Sequence, residues 1–273
     1  MRNRMAQPVE WLQGCAAAFQ LLTRIPIPVK LDYNDRLFRR SAVFYPIVGA
    51  VLGLLLLVAA ILLSLVLPPL PVAVLVLGLW LALTGGLHMD GLMDTADGVL
   101  SHRSRERMLE IMKDSRVGAM GVLAGGWQLL LKTAVIYSLL EYTPDTVCMP
   151  ALVLAPIWSR TCMVGAIAGW PYARAGEGMG RLMAAVTFKE AGLAVLLATG
   201  LTAASFLLVS DIVTAFWHTA VVAGFAIVVG WWIAHYIARK LGGLTGDTYG
   251  AINELLESAL LLLAAGWGYS IIG

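Results

Sequence analysis

Apolar residues run through this chain in long blocks, and polar residues gather in the short stretches between them. Blocks at about 42–67, 71–87, 117–140, 148–168, 190–209, 214–237 and 251–272 each reach the roughly 17–25 residues that cross a hydrocarbon layer. They predict seven transmembrane helices and an all-α, polytopic membrane protein, organised as one catalytic domain over residues 1–273. An earlier apolar stretch near residues 10–22 is short and flanked by Arg24, Pro26 and Pro28. It predicts an interfacial or half-buried helix rather than a crossing.

The basic residues alternate with this pattern. Arg2, Arg4, Arg24, Lys30, Arg36, Arg39 and Arg40 precede the first block. Arg103, Arg105, Arg107, Lys113 and Arg116 lie between the second and third blocks. Arg174, Arg181 and Lys189 follow the fourth, and Arg239 and Lys240 follow the sixth. The opposite connections, 68–70, 141–146 and 210–214, hold no Lys or Arg. Only Lys132 and Arg160, of 19 basic residues, fall inside predicted crossings. Positive charge marks the cytoplasmic side, so the charged loops are expected inside a bacterial or archaeal cytoplasmic membrane.

Composition agrees: 59% of residues are hydrophobic and 13% charged, with a mean hydropathy of +0.81. A soluble domain carries about 25% charged residues, so this chain lacks the polar surface to cover a soluble core. A net charge of +2 gives no reason to expect nucleic acid. Cys15, Cys148 and Cys162 form no CxxC pair and read as small buried hydrophobes, with neither a disulfide framework nor a zinc site implied. The N-terminal apolar stretch lacks a small-residue cleavage pattern, so no cleaved signal peptide is expected.

The candidate chemistry begins at His88. Asp90, Asp94 and Asp97 are spaced i, i+4, i+7 and, on a helix, point within about 60° of one another. Three carboxylates in one stripe repel, and a divalent cation removes that cost. Oxygen-only ligands suit Mg²⁺ or Mn²⁺ better than zinc. A solvated acidic face is the plainer alternative, but acids at a membrane boundary are functional by default. On a continuous helix His88 points about 160° from Asp90, so it serves as a supporting group, a general base or a plain hydrogen-bonded histidine.

Downstream, Arg103, Arg105, Arg107, Lys113 and Arg116 suit a diphosphate, although such charges also hold a loop on its side of the membrane. Asp114 is a candidate further carboxylate. A third patch runs from Gly242 to Glu254 and includes Thr245, Gly246, Asp247 and Asn253. Its glycines let backbone approach a ligand, and successive N–H groups can cradle phosphate oxygens. The glycine-rich connection 170–180 reads as a flexible turn with interfacial aromatics.

These residues carry a resemblance. The pattern H-x-D-G-L-x-D-x-x-D-G from His88, followed by S-R-x-R-M-L-E-I-M-K-D-S-R-x-G from Ser104, closely resembles the cobalamin synthase family, adenosylcobinamide-GDP ribazoletransferase. Residues 22–28, 44–49, 172–174 and the Gly-Gly-x-Thr-Gly-Asp segment match in the same order. The resemblance implies a Mg²⁺-dependent membrane enzyme in which α-ribazole, or its 5′-phosphate, displaces GMP from adenosylcobinamide-GDP. Within that reading Asp90, Asp94, Asp97, Asp114 and Asp247 are the expected metal ligands. His88 joins Asp90, Asp94, Asp97 and Asp247 as an expected catalytic group. Arg24, Arg103, Arg105, Arg107, Lys113, Arg116, Arg174, Thr245, Gly246 and Asn253 are the expected substrate contacts. Lipid is an expected partner, and a homo-oligomer is compatible.

Two other classes compete with it. A CDP-alcohol phosphatidyltransferase places an Ala-Arg pair soon after its first Asp-Gly, and none intervenes between Asp90 and Asp97. A divalent-cation transporter calls for acids at the bilayer midplane, whereas these sit at helix ends beside cations and glycines.

Overall fold

The computed structural model describes residues 2–174, 182–183 and 185–272, which fold into eleven helices. In chain order they are α1 (Arg2–Leu22), α2 (Asp35–Val43), α3 (Tyr45–Ser64), α4 (Pro69–Thr84), α5 (Leu87–Val99) and α6 (Arg105–Ile111). There follow α7 (Ala119–Tyr142), α8 (Asp145–Gly169), α9 (Phe188–Leu207), α10 (Ile212–Leu241) and α11 (Gly246–Ile272). The only extended pairing among the described residues is a parallel bridge between Tyr172 and Leu244.

Among the described residues, five helices, α3, α7, α8, α9 and α10, are long and apolar enough to cross a membrane. The count becomes six if α4 and α5 are taken as one crossing bent by 89°. This corrects the expectation of seven. At 16 residues α4 is short for a hydrocarbon layer. The 27-residue α11 starts at Gly246, ahead of the apolar block expected at 251–272, and carries Glu254 and Glu257 inside that block. Near the N-terminus α1 reaches back to Arg2 and folds against α2, with Glu10 bonded to both Arg36 and Arg40.

Burial sorts the helices. The apolar stretch of α8 is 83% buried and that of α10 only 17%, so α8 is the axis and α10 a lipid-facing wall. Helix α8 packs on α3, α9, α10 and α11, and α11 packs in turn on α5 and α7. Exposed Leu, Val and Trp on α3, α7 and α10 form the apolar exterior that a bilayer requires, since lipid tails solvate such side chains as well as a protein interior does.

Two consecutive glycines set the position of α5. Gly85 and Gly86 both adopt left-handed backbone, φ 64° and 70°, which L side chains rarely accept. The chain therefore turns sharply between α4 and α5, whose axes meet at 89°. At Gly91 an added Cβ would lie 2.5 Å from the Asp247 carbonyl oxygen. That contact brings the backbones of α5 and α11 together and places their acidic residues side by side.

Candidate active site

Asp90, Asp94 and Asp97 do lie on a helix, α5, but they do different work. Asp90 is exposed, and Asp94 and Asp97 are half-buried. Each oxygen of Asp97 accepts a backbone N–H at 2.7 Å, from Gly118 and from Gly121. These are the orphan donors at the start of α7, so Asp97 caps that helix and complements its dipole. Asp94 faces other acids: its carboxyl is pushed up to about 6 by burial first, then by Asp90, Asp247 and Asp97, with Arg174 opposing. The pKa of a carboxyl rises in this way when charges that repel are held in one place.

Asp247 stands in the first turn of α11. Its Oδ2 accepts from Arg174 Nη2 at 2.8 Å and lies 3.4 Å from Thr245 Oγ1. Arg174 is brought there by the bridge after α8, where Ala173 N–H donates to Leu244 O at 2.7 Å and Leu244 N–H to Pro171 O at 2.9 Å. Arg174 Nη2 also reaches Met112 O at 3.4 Å, which ties the end of α6 to the site. Asp90, Asp94, Asp247 and Arg174 thus come from three separate segments of the chain.

Other expected residues fall elsewhere. Asp114 is exposed and engaged by Arg116, whose guanidinium holds its carboxyl down at about 2. Thr245 is buried, and besides its contact with Asp247 it exchanges bonds with Thr248 at the start of α11. Asn253 is also buried and donates from Nδ2 to Glu257 at 3.0 Å. Arg107 pairs with Glu110 one turn on at 2.7 Å, and Arg105 donates to Gly242 O at 3.3 Å. Arg24 lies across Gly85 at the corner between α4 and α5. Arg24, Arg103 and Lys113 are exposed cations with no acidic partner among the described residues.

Among the described residues no three His, Cys, Asp or Glu side chains converge closely enough to hold a metal ion by themselves. Of the five carboxylates expected from the sequence, Asp97 accepts from the start of α7 and Asp114 from Arg116, whereas Asp90, Asp94 and Asp247 face one another. What remains is a pair or trio of carboxylates under mutual repulsion. That donor set fits Mg²⁺, which one or two carboxylates commonly hold together with water and substrate phosphates.

Beside the acids opens a cavity of about 180 Å³, bordered by Asp90, Asp247, His88, Gly246 and Gly250, with walls from α1, α2, α3 and α8. Behind it lies a group of which the sequence motifs include only Glu254. Lys132 on α7 donates to Glu254 Oε2 at 2.6 Å and also bonds Glu257. Arg160 on α8 bonds Glu257 and lies 3.3 Å from His88 Nδ1. All four charged side chains are at most 4% exposed. Their signal is present in the sequence as two cations and two acids within apolar blocks, where lone charges are costly and pairing is the rule.

The cobalamin-5-phosphate synthase family profile matches residues 14–265. The chain is 41% identical over 249 residues to an adenosylcobinamide-GDP ribazoletransferase of Desulforamulus reducens, covering 90% of this chain and 93% of that protein. It is 38% identical over 258 residues to one from Brevibacillus brevis, with coverage of 91% and 96%. A third, from Desulfitobacterium hafniense, is 42% identical over 248 residues, with coverage of 90% and 93%. No solved structure matches the chain.

Proposed function

Because this chain belongs to the cobalamin-5-phosphate synthase family, we propose that it joins α-ribazole, or its 5′-phosphate, to adenosylcobinamide-GDP and releases GMP. The observation that carries the reading is the half-buried Asp94, set among Asp90 and Asp247 beside a cavity, with Arg174 fixed on Asp247. The reaction needs a hydroxyl to attack a phosphoryl group while a nucleoside monophosphate leaves. Asp90, Asp94 and Asp247 would hold Mg²⁺, which when bound polarises a diphosphate and offsets charge on its leaving oxygen. Arg24, Arg103 and Lys113 sit at the same boundary and suit the diphosphate, the arginines offering two parallel N–H donors to its oxygens. Arg174 orients Asp247, and Asp97 fixes where α5 meets α7. The enzyme would work at the cytoplasmic face of the inner membrane, a reading that the distribution of Lys and Arg supports.

The test is GMP release by detergent-solubilised protein given both substrates, with and without Mg²⁺. The expected outcome is Mg²⁺-dependent GMP with a cobalamin product, lowered about 100-fold or more in Asp94→Asn. Turnover at the wild-type rate in that variant would remove Asp94 from the site, and no GMP from folded wild-type protein would remove the reaction.

A further inference from the structure

The bonds of the buried group Lys132, Arg160, Glu254 and Glu257 end on both arms of the corner between α4 and α5. On one arm, the Trp80 ring of α4 lies against Lys132, with Nζ 4.6 Å from the ring centroid. On the other, His88 of α5 meets Arg160 Nη2 through Nδ1 at 3.3 Å. A guanidinium can only donate, so Nδ1 accepts. Lys132 and Arg160 both bond Glu257, which Asn253 also holds at 3.0 Å. One carboxylate of α11 thus links the two cations that meet the helices on either side of the bend.

The corner needs to be held from outside. Gly85 and Gly86 have no side chains to fix its angle, and α4 and α5 have few contacts with each other. Two close approaches locate α5 on α11. One is Gly91 on the Asp247 carbonyl, and the other is Gly250, where an added Cβ would lie 3.0 Å from His88 O. On the same pair of helices Asp94 is repelled by Asp90 and by Asp247. Like charges facing across a helix pair push it apart, and the opposite charges of the buried group pull the same pair together. His88 stands two residues before Asp90, so a bond to its ring acts close to the acids.

We propose that Arg160 and Glu257 are positioning residues for the acidic site. Through His88 they hold the first turn of α5 against α11, so that Asp90 and Asp94 stay facing Asp247 in spite of their repulsion. This rests on the Mg²⁺-dependent ribazole-transfer reading and adds to it residues that touch neither substrate nor metal. His88 serves here as the acceptor for Arg160 and not as a base: its Nε2 is buried, with no partner among the described residues.

The experiment compares His88→Leu, His88→Asn and Arg160→Lys with wild type, all in detergent, by equilibrium Mn²⁺ binding and by the kinetics of GMP release. An Asn side-chain oxygen, attached to the same carbon as Nδ1, restores the acceptor that His88→Leu removes. Arg160→Lys keeps a charge against Glu257 but lacks the planar fork that meets two partners. Groups that orient metal ligands are worth about 10- to 100-fold in metal affinity. His88→Leu and Arg160→Lys are therefore expected to weaken Mn²⁺ binding about 10-fold or more and to lower kcat with it, while the KM for α-ribazole stays within about twofold. His88→Asn is expected to recover most of that loss. If Arg160→Lys does not fold, the two His88 variants decide. His88→Asn as impaired as His88→Leu would mean that the imidazole itself acts on the ligand, and wild-type Mn²⁺ binding in His88→Leu or Arg160→Lys would make the group purely structural; either overturns the proposal. Mn²⁺ binding without GMP from wild type removes the reaction, and the binding comparison then decides the positioning role by itself. No Mn²⁺ binding by wild type overturns the proposal, and GMP released without metal would leave the reaction standing.

Discussion

Two regions of this molecule are rich in charge, and they use it in opposite ways. The connection from Arg103 to Arg116 carries five cations, of which Arg107 and Arg116 pair with acids in exposed, local contacts. The interior group of Lys132, Arg160, Glu254 and Glu257 carries two cations and two anions, all buried and bonded across three helices. In water an ion pair is weak, because solvent serves each partner nearly as well. In the interior the pair need not stabilise the fold relative to apolar side chains, but breaking it leaves a bare charge in a medium of low dielectric. Charge that is cheap to alter at the boundary is therefore costly to alter inside.

The sharpest way to break that comparison is Glu257→Ala, which leaves Arg160 and Lys132 short of a counter-charge. It is expected to cost about 3–5 kcal/mol, read as a large fall in the unfolding temperature in detergent. A small fall would mean that the group is hydrated and not buried in the sense argued. Next comes Asp97→Ala, which removes the cap from α7. It is expected to cost about 1–2 kcal/mol, whether or not Mg²⁺ is present, because Asp97 serves backbone N–H groups. A Mg²⁺-dependent loss would return Asp97 to the metal.

Asp94 supplies a pH test between these extremes. The folded chain holds its proton more tightly than the unfolded chain, whose ordinary value is 3.8 against about 6 in place. Stability without Mg²⁺ therefore falls modestly as pH rises from about 4 to about 6 and is level above that range. Mg²⁺ must displace that proton at low pH, so its affinity is expected to weaken below pH 6 by up to about tenfold per unit. Affinity that does not change with pH would exclude Asp94 as a ligand. The smallest effect belongs to Arg116→Ala: no measurable change in unfolding temperature, and at most a salt-sensitive rise in KM for adenosylcobinamide-GDP. A clear loss of stability would show that the exposed pair is structural after all.

Much of the candidate site is legible in the order of residues alone. The i, i+4, i+7 spacing places three aspartates on one helix, and α5 is that helix. The division of labour among them is not legible, because it depends on which neighbouring helix presents bare N–H groups to Asp97. Asn253 and Thr245 sit in a polar, glycine-rich segment and read as ligand contacts. One faces a buried carboxylate and the other caps its own helix, since α11 begins only one residue after Thr245. The span count goes astray at α4 and α11, where a window of hydropathy does not register an 89° bend or acids neutralised by cations from other helices.

By itself the sequence determined that this chain is a helical membrane protein with the aspartates and glycines of its motifs gathered between its apolar blocks. Apolar length and charge alternation are local properties, and the bilayer acts on them without reference to the rest of the fold. Tertiary structure alone decided that Asp97 braces α7, that Asp247 stands beside Asp94, and that Arg160 orients His88. Those pairings join residues from 21 to 153 positions apart, and a bonding partner at such distances depends on how helices pack in space.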